Sequence, residues 1–429
     1  MRAALAGLTL RARSLLTAGL ALAGCAVVLG QRDLLRAAVL LVALPLTAAV
    51  VVARTHYRLS CARHLDPPRV EAGRSSTVRL RLDNVSRLPT GVLLMQDALP
   101  PALGSSPRFV LDRVQPRGVR EVSYPVRSEV RGRFRVGPLS VRLTDPFGLV
   151  ELTRAFSTTE ELVVTPVVSR LPHVSLGGDW SSGGDGVARA VAATGLDDAA
   201  TREYREGDDL RKVHWRSTAR MGELMVRREE QPFTSRATLL LDTRADAHHG
   251  AGPGSSLEWA VSAVASIGVA LLRDGFALQV LDSQGEDLVP RGVPVTEGAL
   301  LDALADVQPT RGRDLGTAIS ALHDAGGQGL LVAVLGQLDP EQAEQLGRLR
   351  HSAGRCVGVL VDTPTWAGAQ PGSARYDTSH VLLTRTGWRL LPVRHGTTLS
   401  SVWPLAARTS AHEAGQESGP VAPQERVAP

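Results

Sequence analysis

The chain has 429 residues, enough for two or three domains, and its 43% hydrophobic and 21% charged residues exclude fibrous, collagen-like and fully disordered classes. Its three cysteines (Cys25, Cys61 and Cys356) cannot build a disulfide framework or a four-thiolate zinc site. The net charge of +5 is not a nucleic-acid signal, because only one of the 48 basic residues, Lys212, is lysine, and acidic residues are interspersed among the arginines.

Residues 1–13 form a basic N-terminus carrying Arg2, Arg11 and Arg13. Two charge-free apolar runs follow at 14–30 and 37–53, read as two transmembrane helices. Each run alone falls slightly short of a hydrocarbon core of about 30 Å. Flanking Leu10, Leu34 and Leu35 extend them, as do the snorkelling stems of Arg13 and Arg36. The link Gln31–Arg36 is so short that the helices must form an antiparallel hairpin with both ends on one side. Arginines at 2, 11 and 13 before the hairpin, and at 54, 58, 63 and 69 after it, place that side in the cytoplasm. An alternative arises from Leu22-Ala23-Gly24-Cys25, which matches a bacterial lipobox. It would make the protein an envelope-facing, metal-dependent adhesion or binding protein, anchored by the hairpin or by lipid at Cys25. The apolar run continues past Cys25 and a second span follows at once, which a lipoprotein does not need.

Residues 70–170 read as a β-sandwich of the immunoglobulin-like class. The stretches 77–82, 120–126 and 132–136 alternate polar and apolar, and Pro/Gly turn signals punctuate them. Residues 176–200 are rich in Gly, Ser, Asp and Ala and read as a linker.

The segment 202–230 holds eight basic and seven acidic residues. A phosphate-backbone binder needs unpaired cations, so near-neutrality argues instead for a network of Arg–carboxylate pairs. Tyr204 and Trp215 are expected as its packing anchors. The series Arg202, Tyr204, Gly207, Asp208, Arg211, Trp215, Ala219 and Arg220, followed by Arg227–Glu230, resembles the signature of the bacterial domain of unknown function 58 family. The resemblance extends to the N-terminal hairpin and to a β domain running from Arg131-Gly132-Arg133-Phe134 to Asp145-Pro146-Phe147-Gly148. It implies an α/β domain similar to von Willebrand factor A after the signature, and a multi-pass inner-membrane protein with cytoplasmic soluble domains. It further implies no established enzymatic activity, a MoxR-type AAA+ ATPase as partner, and an association with transglutaminase-like membrane proteins.

From 236 to 395 apolar strands alternate with helices. Strands are read at 237–242, 276–281, 330–335 and 357–362, with helices at 257–273, 314–324 and 339–351. That order argues for a parallel sheet with helices on both faces. Residues 409–429 are polar and read as a disordered tail. The implied domain family often binds Mg²⁺ through Asp-x-Ser-x-Ser, hydroxyls and carboxylates suiting a hard octahedral cation. Here the stretch is Asp242-Thr243-Arg244-Ala245-Asp246, whose Arg244 and Asp246 replace the hydroxyls, so no metal and no other cofactor is expected. Asp242, Thr243 and Arg244 are expected instead as an exposed surface for a protein partner, at the strand end where α/β loops converge. No Walker, Rossmann, HExxH or GxSxG motif is present, so no catalytic residue is assigned.

Overall fold

The computed structural model describes residues 7–54, 59–87, 89–90, 92–144, 147–174, 201–203, 215–227, 236–290, 292–324, 329–349 and 355–407. The linker at 176–200 and the tail at 409–429 lie outside the described residues. Two compact units divide the chain close to residue 167.

The first unit opens with helices α1 (Leu10–Leu29) and α2 (Arg32–Arg54), both long and apolar enough to cross a membrane. Both overrun the expected spans. Thr9 caps α1 by accepting the Ala12 N–H, and Gly30, at φ 68°, makes the left-handed turn into α2. Small residues seat the pair: a Cβ added at Gly19 would stand 2.7 Å from Val42 Cγ2. Pro45 stays within α2. The base of the hairpin packs Ala12 and Ala49 against Leu149 and Val150, and Glu151 N–H donates to Gly7 O at 2.8 Å.

Ten strands follow: β1 (Leu59–Asp66), β2 (Arg69–Glu71), β3 (Ser75–Asn84), β4 (Leu93–Asp97), β5 (Arg108–Leu111), β6 (Val119–Arg127), β7 (Gly132–Val136), β8 (Leu139–Thr144), β9 (Glu151–Phe156) and β10 (Glu160–Thr165). They form sheets β1-β3-β6, β2-β10-β7 and β5-β4-β8-β9. Alternate residues of all three sheets share one core, including Leu65, Val78, Leu93, Val136, Leu139 and Leu162. The strand region begins at Leu59, earlier than the expected 70, because β1 carries Arg63 and His64 and breaks simple alternation. Arg63 is nevertheless buried, bonded to Asp97, whose other oxygen accepts the Tyr124 hydroxyl.

In the second unit β11 (Thr201–Glu203) pairs antiparallel with β12 (Met225–Arg227), and α3 (Trp215–Met221) lies between them in sequence. The main sheet contains β13 (Arg236–Leu241), β14 (Ala277–Leu281), β15 (Leu330–Leu335), β16 (Arg355–Val361) and β17 (Arg389–Val393), all parallel, in the order β14-β13-β15-β16-β17. Its helices are α4 (Ser256–Arg273), α5 (Glu297–Asp306), α6 (Gly316–Asp324), α7 (Pro340–Arg348), α8 (Ala374–Arg385) and the short α9 (Leu399–Val402). Gly268 of α4 sits over Leu239 and Leu278, while residues of α6, α7 and α8 join Leu240, Leu331 and Leu335 in a separate cluster. Leu239 and Leu240 point to opposite faces, so helices cover both. Helix α4 also has the length and composition of a membrane span, but two-thirds of it (67%) is buried within this unit.

Candidate functional site

The apolar strand β13 is buried almost throughout and delivers Asp242 to its C-terminal end, where Asp242 N–H donates to Val334 O of β15. Asp242 Oδ1 accepts from the backbone N–H of Arg244 at 3.1 Å and from its Nε at 2.9 Å. Oδ2 accepts from Arg244 Nη2 at 2.7 Å and from Gly336 N–H at 3.1 Å. The guanidinium then reaches three further acceptors: Arg313 O, Gln342 Oε1 and Gln337 O. All five of its N–H donors are thereby matched. Gln342 is fixed by its place in the capping box of α7, where its Oε1 accepts the Asp339 N–H. A Cβ on Gly336 would stand 2.5 Å from Ala247 O, so the loop after β15 can approach this closely only without a side chain.

This geometry corrects the expected exposed surface. Asp242 is 0%, Thr243 1% and Arg244 4% exposed. The cause is local: Arg244 lies two residues after Asp242 and folds back onto it, instead of projecting outward. Thr243 turns the other way, into a hydroxyl cluster with Ser283 (2.7 Å) and Thr310 (3.3 Å). That cluster is stapled by Thr310 N–H to Thr243 O and Ala245 N–H to Thr310 O. Asp246 is exposed and pairs with exposed Arg313 at 3.0 Å. Among the described residues no three His, Cys, Asp or Glu side chains are grouped to hold a metal. Both Asp242 oxygens face the guanidinium, the position a cation would need.

His248 and Ser256 join the same strand end. His248 Nε2 donates to the Asp242 carbonyl oxygen at 2.8 Å, and Nδ1 lies 3.0 Å from Ser256 Oγ, which also accepts the His249 N–H. Burial pushes the His248 pKa down, against the raising influence of Asp242. A Ser, a His and an Asp thus converge, but not as a nucleophilic triad. Ser256 is 0% exposed, and the Asp242 carboxylate orients Arg244, not the imidazole.

Of the signature residues, Tyr204, Gly207, Asp208 and Arg211 lie outside the described residues, so the ion-pair network has no described geometry. Arg202 is placed opposite Val226 in the β11–β12 ladder. Ala219 and Arg220 are on the exposed side of α3. Trp215, expected as a packing anchor, is 71% exposed. Helix α3 is held at its middle, where Met225 N–H donates to Thr218 Oγ1, and Trp215 is its first residue, one turn before that contact. Sequence reasoning did not single out Gln342, Ser283 or Thr310, and it met Gln337 only in the Gly336-Gln337 pair after the strand at 330–335, where no metal-binding Asp stands. Only the helix-start signal Asp339-Pro340 pointed near one of them.

Comparison with known proteins adds the following. Residues 200–364 match the family described as "Protein of unknown function DUF58". The uncharacterized protein YeaD of Bacillus subtilis (strain 168) is 26% identical over 219 residues, covering 50% of this chain and 53% of that protein. The chain therefore spans about half the length of that relative. Among solved structures, the CARDB domain of a Pyrococcus furiosus protein aligns over 25% of this chain and 93% of its own at 11% identity, with a TM-score of 0.19. The seventh PapD-like domain of human CEP192 aligns over 25% and 85% at 12% identity, with a TM-score of 0.17. Similarity that slight supports no structural conclusion. The segment matched by the DUF58 family runs from β11 past the end of β16 and contains the Asp242–Arg244 clasp.

Proposed function

We propose that the protein is a membrane-attached, non-enzymatic interaction module whose soluble units face the cytoplasm and engage a MoxR-type AAA+ ATPase in the assembly or maturation of other proteins. The observation that carries this reading is the closed clasp at the end of the parallel sheet. Open α/β sheets place ligands outside the carboxyl ends of their strands. Here that position is filled by the chain's own guanidinium with every donor matched, which favours a finished structural surface over an ion or substrate site. A domain similar to von Willebrand factor A, stripped of its cation, fits that description. Because Arg244 is buried, the contact surface moves to the exposed rim around the clasp, Asp246 and the loops 249–254 and 311–314.

Full-length protein in detergent should retain an AAA+ ATPase encoded beside it when Mg-nucleotide is supplied. Reversing exposed Arg311 and Arg313 to Glu should weaken retention, with a dependence on salt. Retention indifferent to both reversals would displace the surface to the 202–230 segment. Saturable Mg²⁺ binding below millimolar by the protein alone, abolished by Asp242→Ala, would overturn the metal-free reading.

A further inference from the structure

Three aspartates are completely buried among the described residues: Asp97, Asp242 and Asp362. The first two have arginine partners, Arg63 and Arg244. Asp362, just past the end of β16, has none. Its Oδ2 accepts the Gly372 N–H at 2.9 Å, and its Oδ1 has no hydrogen-bond partner. The hydroxyls of adjacent Thr363 and of Tyr376 on α8 are likewise buried and unpartnered. Asp362 and Tyr376 line one small pocket with Gly336, Gln337, Ser373 and Ser379, with room for a group about the size of one water.

Burying a charged carboxylate with a single neutral donor is costly, and a paired positive charge offsets that cost. Water in the pocket would supply a hydrogen bond but no charge. Arg394, the cation nearest to Tyr376 in its electrostatic effect, is exposed and forms no ion pair with Asp362 within 4.0 Å. Burial and the neighbouring Asp362 push the Tyr376 pKa up to about 12, so the phenol stays neutral and its oxygen can accept. Ser373 Oγ accepts the Tyr376 N–H and Ser379 Oγ donates to Arg375 O, whereas Asp362 Oδ1 and Tyr376 Oη have no hydrogen-bond partner.

We propose that this pocket receives the –NH3+ head of a primary ammonium group, held by Asp362 Oδ1 and Tyr376 Oη. The same chemistry is presented by a free amine or by a lysine side chain of another protein. The pocket borders the Asp242 clasp through Gly336 and Gln337 but uses a different carboxylate, and it does not depend on the ATPase reading.

The test is thermal melting of the full-length protein in detergent, followed by tryptophan fluorescence, with methylammonium, tetramethylammonium or potassium chloride at equal ionic strength. Methylammonium at tenfold over its Kd should raise Tm by about 3–6 °C above the tetramethylammonium control. The shift should vanish in Tyr376→Phe, which removes one oxygen and keeps the ring, and in Asp362→Asn. Equal shifts with potassium would overturn the donor requirement. No difference between the two ammonium salts, or a shift retained in both variants, would overturn the site. If the methylammonium response arises only after Arg394→Gln, then Arg394 is itself the counter-ion and the proposal fails. A lysine-bearing peptide that reproduces the shift, where its norleucine counterpart does not, would assign the site to a protein ligand; a response to the free amine alone would assign it to small amines.

Discussion

Replacing Arg244 by Met keeps the length of the side chain and removes its charge and all five donors. Asp242 would keep only the amides of Arg244 and Gly336, and Arg313 O, Gln337 O and Gln342 Oε1 would each lose a bond. At 0% and 4% exposure the pair is shielded from water, so loss of one partner should cost about 3–5 kcal/mol, against at most about 1 for an exposed pair. For a unit of this size that is a fall in Tm of about 6–20 °C. The assay is selective, because the described tryptophans (215, 259, 366, 388 and 403) lie in the second unit, so their fluorescence follows it. The double variant Asp242→Asn with Arg244→Met should cost less than the sum of the two single changes, since it leaves neither charge stranded. A fall of under about 3 °C for Arg244→Met, or strict additivity in the double variant, would refute the clasp as the element that closes the strand end.

Two further outcomes are expected. The protein should stay with the membrane after alkaline carbonate washing, and a reporter fused after Pro429 should be active only in the cytoplasm; extracytoplasmic activity, or palmitate labelling lost in Cys25→Ala, would reverse the topology. Stability should also depend on His248, which is buried against Asp242 O and Ser256 Oγ. Its folded pKa is lowered relative to the unfolded value of about 6.5, so the unfolded state binds more protons as pH falls through that value. Stability is therefore full above about pH 6.5 and declines below it, and His248→Gln should flatten the decline measured between pH 7 and 5; equal slopes in both proteins would remove His248 from the acid response.

Elements defined by periodicity alone were legible in the sequence. The two apolar helices, β3, β6 and β7, and the strands and helices 236–273 and 330–361 fall within a few residues of their expected places. The missed pieces are those where tertiary contacts override the local pattern. Strand β1 contains a buried arginine that sequence reading treats as surface, yet Asp97 and Tyr124 wait for it across the core. Helix α8 and strand β17 are short and mixed in polarity, and they become regular because α8 packs Tyr376 and Leu383 under the sheet. At the candidate site the sequence identified Asp242 and Arg244 but not their direction. Two residues that read as a surface pair are in fact bonded to each other. Their burial is decided by Gly336, Gln337 and Gln342, which arrive from more than ninety positions away.

Burial of arginine recurs in both units, and the composition explains its consequences. With one lysine among 48 basic residues, the buried aspartates 97 and 242 each meet a guanidinium. That group presents a rigid fork of donors and does not lose its proton at any physiological pH. Clasps at Asp97 and Asp242 therefore cannot titrate open through their cation, and they need no ion from solution. A response to acid must then come from a neighbour that does titrate, and at the Asp242 strand end that neighbour is His248, bonded to the Asp242 carbonyl. Protonation there places a second positive charge beside Arg244 and close to the N-terminus of α4, whose helix dipole disfavours it. The strand end is therefore expected to be insensitive to added cations and sensitive to acid, the reverse of what a carboxylate–metal site in the same position would show.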